Sequence, residues 1–506
     1  MKMTASRAGT GAGRRRAGSQ RRPGVMAVLA AGAAGAAVAC AASLAATYVA
    51  AAGITTSALR VHWGLAEEVP GLAALNAGGN AAANVVSCWR PGDCAAGGSY
   101  TDAGGHQQAF VVTEHNGVWG HAEEVPGTAA LNGDTSASSA QVSALSCAPS
   151  GYCAAAGDYD STGTQQVFVV SETNGGWGTA REIPGVGKLN VGGDASVDAV
   201  SCPSAGNCGA GGYYQTPVAP GTAIGQDSQA FVVSESKGRW TKAEEVPGMQ
   251  AVSPPPFQVN YVGSMSCRSA GYCTAAGLWN AGPNGSPKYG QSGGFVVSEV
   301  HGRWQHLLLP THGGGDSIVS CSRVGYCLAA AGNSAVTKTD GRWGKVRNFR
   351  SLSGDDIAAV SCPSVGDCTV AGFLGYSDTD YGGYNNAFVL AERNGRWGKV
   401  YDLTGVAGTQ LNAPFSVLSC ASPGNCGGGG SAIAGFDEYG NILNGAFVVG
   451  ERNGRWATSE VPPGVAALNL GGNAGVNAVS CAAASACSAA GFYADSGGHS
   501  QAFVDG

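Results

Sequence analysis

Cysteine has the most regular spacing of any residue type in this 506-residue chain. Sixteen of the 17 cysteines form eight Cys-x5-Cys pairs, and Cys40 is left over. Thiols at this spacing would form disulfides or contribute two ligands to a metal site, but zinc takes four ligands and no paired histidines accompany these cysteines. We therefore predict eight disulfides. The pairs are Cys88/Cys94, Cys147/Cys153, Cys202/Cys208, Cys267/Cys273, Cys321/Cys327, Cys362/Cys368, Cys420/Cys426 and Cys481/Cys487.

A recurring aromatic residue is the candidate for ligand binding. It lies two residues beyond a glycine that itself lies four positions after the second cysteine, and Leu374 and Ala432 replace it in two copies. Flat rings along a concave surface would stack on sugars or other planar, partly apolar ligands. Alternatively, each ring packs against the neighbouring repeat. The five candidate residues are Tyr100, Tyr159, Tyr214, Trp279 and Tyr493.

Polar residues that would suit metal or acid-base chemistry recur in other segments. His106 and His499 lie in matching Gly-Gly-His-x-Gln segments, and repeat ancestry explains the match more simply than a functional pair. Asn76, Asn190 and Asn469 lie in Leu-Asn segments rich in Gly and Asx. Such oxygen-rich loops would suit Ca²⁺, but the same residues also satisfy ordinary turns. No other cofactor is predicted.

Three pairs of adjacent glutamates would offer two carboxylates for acid and base chemistry. Neighbouring residues on a strand point to opposite faces of a sheet, so we do not expect both members of a pair to reach one substrate. The sequence has no nucleophile motif, glycine-rich phosphate loop or His-Glu-His metal motif. No catalytic residue is predicted. The glutamate pairs are Glu67/Glu68, Glu123/Glu124 and Glu244/Glu245.

The repeat that carries these residues is roughly fifty to sixty residues long and runs through nearly the whole chain. Each copy contains four strand-like runs, typified by QVSALSC, CAAAGDY, QAFVVSE and WGHAEEVPG. Gly, Asn and Pro separate the runs, and no helical periodicity follows Ala52. Four antiparallel strands in eight copies are typical of a β-propeller. We predict an all-β, eight-bladed propeller with strand one at the central channel and strand four outermost.

The two ends of the repeat region complement each other. Residues 58–71 read as a fourth strand without its first three partners, and residues 500–506 read as a third strand without its fourth. We predict that the two segments share one blade, because this would close the ring and remove an exposed sheet edge.

Propeller geometry assigns the loops to two faces. The cysteine hairpins and the turns before strand four would share one face. The connections from strand two to three and from strand four to the next blade would share the other. The second face carries the long, variable loops and is the predicted location of a binding site, because such loops on a rigid scaffold usually carry function.

A tryptophan follows an Asn-Gly or similar turn in every copy. Ser171, Asn174, Gly175 and Trp177 resemble the Asp-box repeat of sialidase-like propellers, with Asn in place of the Asp. The resemblance implies a propeller in which these turns are structural, so we expect the tryptophans to pack between blades. They are Trp63, Trp119, Trp177, Trp240, Trp304, Trp343, Trp397 and Trp456.

Sialidase activity is not predicted from this resemblance. It would require an arginine cluster from several blades on the variable face. Only Arg347 and Arg350, in one loop, are placed for that role, because most other arginines lie in the tryptophan turns or the cysteine hairpins.

The N-terminal region is predicted to be a targeting element and not part of the propeller. Residues 1–24 are basic and residues 25–52 are apolar, a length that allows either a cleaved signal peptide or a signal anchor. Cys40 adds lipid attachment as a third outcome, although Ala37 stands where a lipoprotein signal has a large aliphatic residue. All three outcomes place the propeller, residues 53–506, outside the cytoplasm, secreted or at the cell surface, where disulfides persist.

The propeller itself is acidic. Without the seven basic residues of the N-terminal segment, 21 Lys and Arg stand against 34 Asp and Glu, so nucleic acid is not a predicted partner. We expect a monomer that contacts membranes only through its N-terminal segment and binds an extracellular ligand, with a glycan as the preferred ligand. A carbohydrate- or peptide-active hydrolase or lyase, and a structural envelope platform, are the alternatives.

Overall fold

The computed structural model describes residues 61–133, 138–217, 227–254, 258–280, 291–308, 317–352, 356–374, 386–403, 415–436, 440 and 442–506. The basic segment 1–24, the apolar segment 25–52 and Cys40 therefore lie outside the described residues. The described residues all belong to one structural unit, Ala58–Gly506. None of the helices in these ranges is long and apolar enough to cross a bilayer.

Eight antiparallel sheets form the blades, which confirms the predicted all-β, eight-bladed propeller. Strands one to three pair in chain order, and strand four is usually split into two short pieces that both pair with strand three. The bounds of blades one to four are β3 Ala81–Arg90, β4 Asp93–Thr101, β5 Gln107–His115, β6 Val118–Trp119 and β7 Glu123–Glu124; β8 Ala140–Cys147, β9 Cys153–Ser161, β10 Thr164–Thr173, β11 Gly176–Trp177 and β12 Arg181–Glu182; β13 Ala195–Ser204, β14 Asn207–Gln215, β15 Ser228–Ser236, β16 Arg239–Trp240 and β17 Glu244–Glu245; β18 Tyr261–Ser269, β19 Tyr272–Asn280, β20 Ser292–Val300 and β21 Arg303–Trp304.

Blade five has the shortest inner strands, and blade eight contains strands from both ends of the repeat region. The bounds of blades five to eight are β22 Ile318–Cys321, β23 Cys327–Ala331, β24 Ser334–Thr339, β25 Arg342–Trp343 and β26 Arg347–Asn348; β27 Asp356–Ser364, β28 Asp367–Leu374, β29 Asn386–Arg393, β30 Arg396–Trp397 and β31 Tyr401–Asp402; β32 Phe415–Ser422, β33 Asn425–Phe436, β34 Ile442–Arg452 and β35 Arg455–Trp456; β36 Ala474–Ala483, β37 Ala486–Ala494 and β38 Ser500–Val504 with β1 His62–Trp63 and β2 Glu67–Glu68.

Short helices lie in several connections between blades. Each of the four-residue helices follows a Pro-Gly dipeptide whose glycine has a positive φ. These helices are Leu72–Leu75, Thr128–Leu131, Val186–Leu189, Met249–Val252 and Val465–Leu468, and a 3-10 helix spans Arg350–Leu352.

The predicted sharing of a blade by the two ends is confirmed. Glu68 of β2 pairs antiparallel with Phe503 of β38, and Trp63 lies in the same buried cluster as Phe503. One detail differs from the prediction, since His62 of β1 pairs in parallel with Ala486 of strand two and not with strand three. The reason is that β38 ends at Val504, so the edge of β37 around Ala486 is open and β1 covers it.

All eight predicted disulfides are present, one in each blade. Each joins strands one and two at their hairpin, with Cα atoms 3.9 to 4.2 Å apart. The bonds are Cys88–Cys94, Cys147–Cys153, Cys202–Cys208, Cys267–Cys273, Cys321–Cys327, Cys362–Cys368, Cys420–Cys426 and Cys481–Cys487.

The second cysteine of each pair is the more deeply placed, at the start of strand two. These eight residues are at most 5% exposed, and each is held in its disulfide. In blade one, for example, the buried cysteine packs in the cluster that joins blades one and eight. The eight buried cysteines are Cys94, Cys153, Cys208, Cys273, Cys327, Cys368, Cys426 and Cys487.

The prediction that the cysteine hairpins and the turns before strand four share one face is confirmed. The amide of Gly117, in a tryptophan turn, donates to the carbonyl of Gly92 in the cysteine hairpin at 2.7 Å. The equivalent bond joins Gly238 to Gly206 in blade three at 2.8 Å. The two kinds of turn are therefore neighbours on one face.

Neighbouring blades are joined by hydrogen bonds at the first cysteine, which together form a ring of eight serines, here called the serine ring. The serine before that cysteine accepts a hydrogen bond from the backbone N–H of the first cysteine in the next blade, at 2.9 to 3.0 Å. All eight junctions have this bond, including the closing one from Cys88 to Ser480. The pairs are Cys88/Ser480, Cys147/Ser87, Cys202/Ser146, Cys267/Ser201, Cys321/Ser266, Cys362/Ser320, Cys420/Ser361 and Cys481/Ser419.

The hydrophobic core lies between blades. Phe110 of blade one is fully buried with Ala490 and Val504 of blade eight, and the other clusters likewise combine adjacent blades. Trp63 and Trp119 are both buried in such clusters, as expected for tryptophans that pack between blades.

The recurring strand-two glycine is required by a bulge between strands one and two. At Gly157 an added Cβ would overlap the carbonyl oxygen of Gln141, and the register of β8 against β9 shifts between Val142 and Ala144. Blade five has no register shift between β22 and β23, and it carries Ala331 at this position. The glycine is therefore tied to the bulge.

We expect Gly157→Ala to destabilise the protein by about 1 to 3 kcal/mol, because β8 must move away from β9 to admit the methyl group. Gly187→Ala is the matched control, since its Cβ would meet only the Oε1 atom of Gln166 at 3.9 Å and alanine favours the helix there. Thermal unfolding of both variants checks the prediction. Equal melting temperatures would show that the bulge does not need glycine.

Candidate binding site

The five predicted aromatic residues do not form an exposed surface. Their side chains are only 2 to 3% exposed, and each lies in or against the packing between blades. The rings therefore have no face open to a ligand in this structure. They pack between blades, as in the alternative interpretation of the sequence. They are Tyr100, Tyr159, Tyr214, Trp279 and Tyr493.

A glutamate on strand four explains why these tyrosines are buried. The hydroxyl of Tyr159 donates to Oε1 of Glu182 at 2.6 Å, and that of Tyr100 donates to Oε2 of Glu124 at 3.4 Å. Glu245 lies near Tyr214 and Glu68 near Tyr493, and burial together with the nearby carboxylate raises the pKa of each tyrosine. A polar tip with a partner allows a large ring to be buried at little cost. The second members of the predicted glutamate pairs are thus structural partners of tyrosine.

The loop candidates also have structural roles. Asp102 accepts hydrogen bonds from the backbone of Gly104 and His106, and Asp495 forms the same turn before His499, so each histidine lies beside its own aspartate. The Oδ1 atom of Asn190 accepts from the backbone N–H groups of Asp194 and Gln215. Asn76 and Asn469 accept backbone N–H groups in the same way. Among the described residues, no three His, Cys, Asp or Glu side chains cluster closely enough to hold a metal ion.

The variable face is only partly described. Its loops at 218–226, 281–290, 309–316, 375–385 and 404–414 lie outside the described residues. Arg347 and Arg350, the two arginines predicted to suit that face, are exposed, and the Arg347 guanidinium lies 5.8 Å from the centre of the Phe349 ring.

A buried carboxylate near the end of strand three recurs on the opposite face, where the cysteine hairpins lie. Six blades have a glutamate there that is at most 4% exposed. Burial raises the pKa of each, to about 7 for Glu114. The six are Glu114, Glu172, Glu235, Glu299, Glu392 and Glu451.

Four of these glutamates, Glu235, Glu299, Glu392 and Glu451, bind groups of the preceding blade. At the junction of blades two and three, the hydroxyl of Tyr152 donates to both oxygens of Glu235 at 2.8 and 3.0 Å. At the junction of blades five and six, Tyr326 donates to Glu392 at 2.7 Å. At these two junctions a tyrosine from the cysteine hairpin thus fills the space between two blades, and the next blade supplies its acceptor.

Blade five breaks this pattern with Lys338. Lys338 pairs with Trp343 in the register that Glu299 and Trp304 have in blade four, so it occupies the glutamate position. Its ammonium donates to Oγ of Ser298 in blade four at 2.7 Å, as Ser234 bonds with Glu299 one junction earlier. A cation therefore stands where six other blades have an acid.

The substitution opens a cleft between blades four and five. Tyr272 is the hairpin tyrosine of blade four, but the ammonium of Lys338 is a donor and offers it no acceptor. Tyr272 instead bonds its hydroxyl to the ring of His301, at 2.6 Å from Nδ1, and its own ring lies 4.4 Å from the Arg268 guanidinium. The space that tyrosine fills at the other two junctions is left as a cleft of about 290 Å³.

Two cations line this cleft. Arg268 is exposed on one wall and Lys338 is half-buried on the other, and burial together with the nearby Arg268 lowers the pKa of Lys338. Val300 and Val324 add apolar surface at the rim. The arrangement suits a small ligand with an anionic group and an apolar edge.

The cleft adjoins the mouth of the central channel. The mouth has a volume of about 460 Å³ and is lined by residues of the cysteine hairpins, including Trp89 and Arg323. Cys321 and Val324 line both spaces. A ligand longer than the cleft would therefore extend towards the propeller axis.

This site lies on the face opposite to the one predicted. The long, variable loops indicated the other face, whereas the residue that marks this site lies in strand three. The signal was available there, because the repeated Phe-Val-Val-Ser-Glu type of run becomes Ser334-Ala-Val-Thr-Lys338 in blade five.

Sequence comparison gives no relative, since no family model matches the chain and no curated protein is similar to it. Solved structures with a similar fold include a protein of unknown function from Dyadobacter fermentans, at 10% identity over 66% of this chain and 99% of that one, with a TM-score of 0.35. The Hadza microbial sialidase Hz136 has 11% identity over 79% and 73%, with a TM-score of 0.38. The β-propeller domain of the Trilobed protease from Pyrococcus furiosus has 7% identity over 75% and 97%, with a TM-score of 0.40. These are similarities of fold, and none of them bears on the cleft.

Proposed function

We propose that this protein is an extracytoplasmic binding module that holds a glycan in the cleft between blades four and five and in the adjoining channel mouth. The eight disulfides support the compartment, because such bonds persist in oxidising surroundings. The covalently clamped blades support a binding role, since a rigid scaffold loses little freedom when a ligand is bound.

One observation carries the proposal. Lys338 replaces the buried glutamate of the other blades, and the resulting cleft breaks the repeat symmetry of the described strands. A concave space with a few convergent polar groups is the usual form of a small-ligand site. A protein whose ring served only as a structural platform would have no reason for this departure.

Binding to immobilised polysaccharides tests the proposal, with Val324→Trp as the blocking variant. Val324 is 72% exposed and lines both spaces, so the indole would fill their shared rim without disturbing the core. Val365 occupies the same hairpin position in blade six, is 52% exposed and lines neither space, so Val365→Trp is the matched control.

We expect the wild type and Val365→Trp to retain the same polysaccharides, and Val324→Trp to lose about tenfold or more in affinity because its ring excludes the ligand. Retention of no polysaccharide by the wild type would refute the proposal, and so would equal retention by the two tryptophan variants. Release of reducing sugar from a retained polysaccharide would favour a hydrolase on the same scaffold.

A further inference from the structure

We infer that the cleft between blades four and five recognises an anionic group, carboxylate or sulfate, on a sugar unit of its ligand. This inference rests on the proposed glycan-binding function and adds to it the chemical class of the glycan. Lys338 and Arg268 are the recognising residues.

Lys338 has a charge that the protein does not neutralise. Within the described residues no carboxylate lies within salt-bridge distance of its ammonium, which donates one hydrogen bond, to Ser298. The ammonium also lies over the Trp343 ring, 5.6 Å from its centre, which leaves up to two of its three N–H donors for a ligand. Holding a half-buried cation without a counter-charge costs free energy, and an anionic ligand would recover it.

Another junction shows what neutralisation looks like in this fold. Arg393 of blade six donates to both oxygens of Glu451 in blade seven, at 2.8 and 3.0 Å. The cation at that junction is satisfied by the protein itself, and it lines none of the cavities described above. The absence of such a partner for Lys338 is thus not a general property of cations between blades.

Arg268 supplies the second set of donors. Its guanidinium stacks on Tyr272 and its side chain lies along Gly325 of the blade-five hairpin, where a Cβ would be only 3.2 Å from its Cδ. Among the described residues it has no carboxylate partner. A planar guanidinium binds carboxylate or sulfate oxygens through two parallel hydrogen bonds.

Two acidic residues also line the cleft, but neither cancels these charges. Glu299 is buried, its Oε1 accepts a hydrogen bond from Ser234 of blade three, and burial raises its pKa. Asp340 is exposed to solvent at the tip of its turn, where water screens it. Neither carboxylate forms an ion pair with Arg268 or Lys338 among the described residues.

The size and the rim of the cleft favour a sugar over a larger anion. A volume of 290 Å³ is at the lower end of the range for small-molecule sites, so a single sugar unit would fit. Val300 and Val324 would contact the apolar C–H edge of that unit, while neighbouring units extend into the channel mouth through the rim at Val324.

Calorimetric titration with oligogalacturonate, sulfated dextran oligomers, uncharged dextran oligomers and an oligoglutamate peptide tests the inference. Lys338→Glu is the key variant, because it installs the residue that six other blades carry and should fold normally. Lys345→Glu is the matched control, since it makes the same charge change at an exposed residue of the same blade. Circular dichroism and the melting temperature verify that both variants are folded.

We expect the wild type to bind one or both acidic oligosaccharides about tenfold or more tightly than the uncharged oligomer, with affinity falling as salt is raised. Lys338→Glu should remove this preference, and Lys345→Glu should retain it. The carboxylated and sulfated probes identify which anion is preferred.

Two outcomes would overturn the inference and leave the proposed function standing. Equal affinity for charged and uncharged oligomers would leave glycan binding intact and remove the anion. An equal loss in both variants would indicate non-specific attraction. If none of the saccharides binds, the proposed function fails with the inference, and binding of the peptide alone, dependent on Lys338, would then identify an anionic peptide as the ligand.

Discussion

Protein that is reduced in denaturant and returned to buffer containing a reductant is expected to remain unfolded at room temperature. Each disulfide closes a loop between residues six apart, and the loop-entropy relation assigns roughly 2 kcal/mol to a loop of this length. Eight such contributions approach or exceed the roughly 5 to 15 kcal/mol by which a folded domain is stable. The inner strands also have little apolar area to compensate, as Gly427 to Gly430 of β33 illustrate.

Scanning calorimetry of the oxidised and the reduced protein measures this effect. Among double Cys→Ser variants, removal of Cys321–Cys327 should lower the melting temperature most, because β22 and β23 are the shortest inner strands. Removal of Cys267–Cys273, between the nine-residue strands β18 and β19, is the comparison. A reduced protein with the same melting transition as the oxidised one would show that packing alone holds the blades.

Stability is expected to fall as the pH is raised from about 4 to 7. Burial raises the pKa of Asp158 to about 7, assisted by Asp198 and Asp194, and burial raises that of Asp198 to about 6 and of Glu114 to about 7. The folded state therefore holds protons that the unfolded state releases near pH 4, so stability is lost as these groups ionise. The difference between the folded and the unfolded pKa of Asp158 corresponds to roughly 4 kcal/mol of stability. Coupling between the aspartates makes their effects on stability less than additive.

Carboxylates with a lowered pKa act in the opposite direction at low pH. The hydrogen bond from Arg90 lowers the pKa of Asp93, and that from Gln501 lowers the pKa of Asp495. Their stabilisation is present above the unfolded pKa and is lost as the pH falls through the folded one. The stability maximum should therefore lie near pH 4.

Melting temperatures between pH 4 and 8 check the sign of this dependence. Asp158→Asn should raise the melting temperature at pH 8 and have little effect at pH 4, because it removes the charge and keeps a hydrogen-bonding group beside Gln141. The exposed Asp402→Asn serves as control. Stability that increases from pH 5 to 8 would show that the buried carboxylates are neutralised in another way.

The fold was predictable because its signals are local and repeated. The Cys-x5-Cys spacing, the four strand-like runs and the complementary ends each specify a blade, and residues 62–63 deviated only because the third strand of their blade stops early. The serine ring was visible in part, since a serine precedes every first cysteine. The role of these serines in joining blades could not be predicted, because each bond joins residues of different blades.

The site was predictable only in part. The aromatic residues lie on strand two, which is covered on both sides, so alternation could not reveal that Tyr159 points at Glu182. The exchange at Lys338 is readable from an alignment of the third strands. The cleft cannot be predicted from that alignment, because it depends on the hydrogen bond of Tyr272 to His301 in place of a bond to a glutamate.

A crystal structure of the protein with bound oligogalacturonate would test the central claim most directly. We expect a sugar carboxylate within hydrogen-bonding distance of Lys338 Nζ and the Arg268 guanidinium, with the adjoining unit beside Val324 at the channel mouth. An oligosaccharide bound to the loops of the opposite face, with the cleft between blades four and five filled only by solvent, would contradict it.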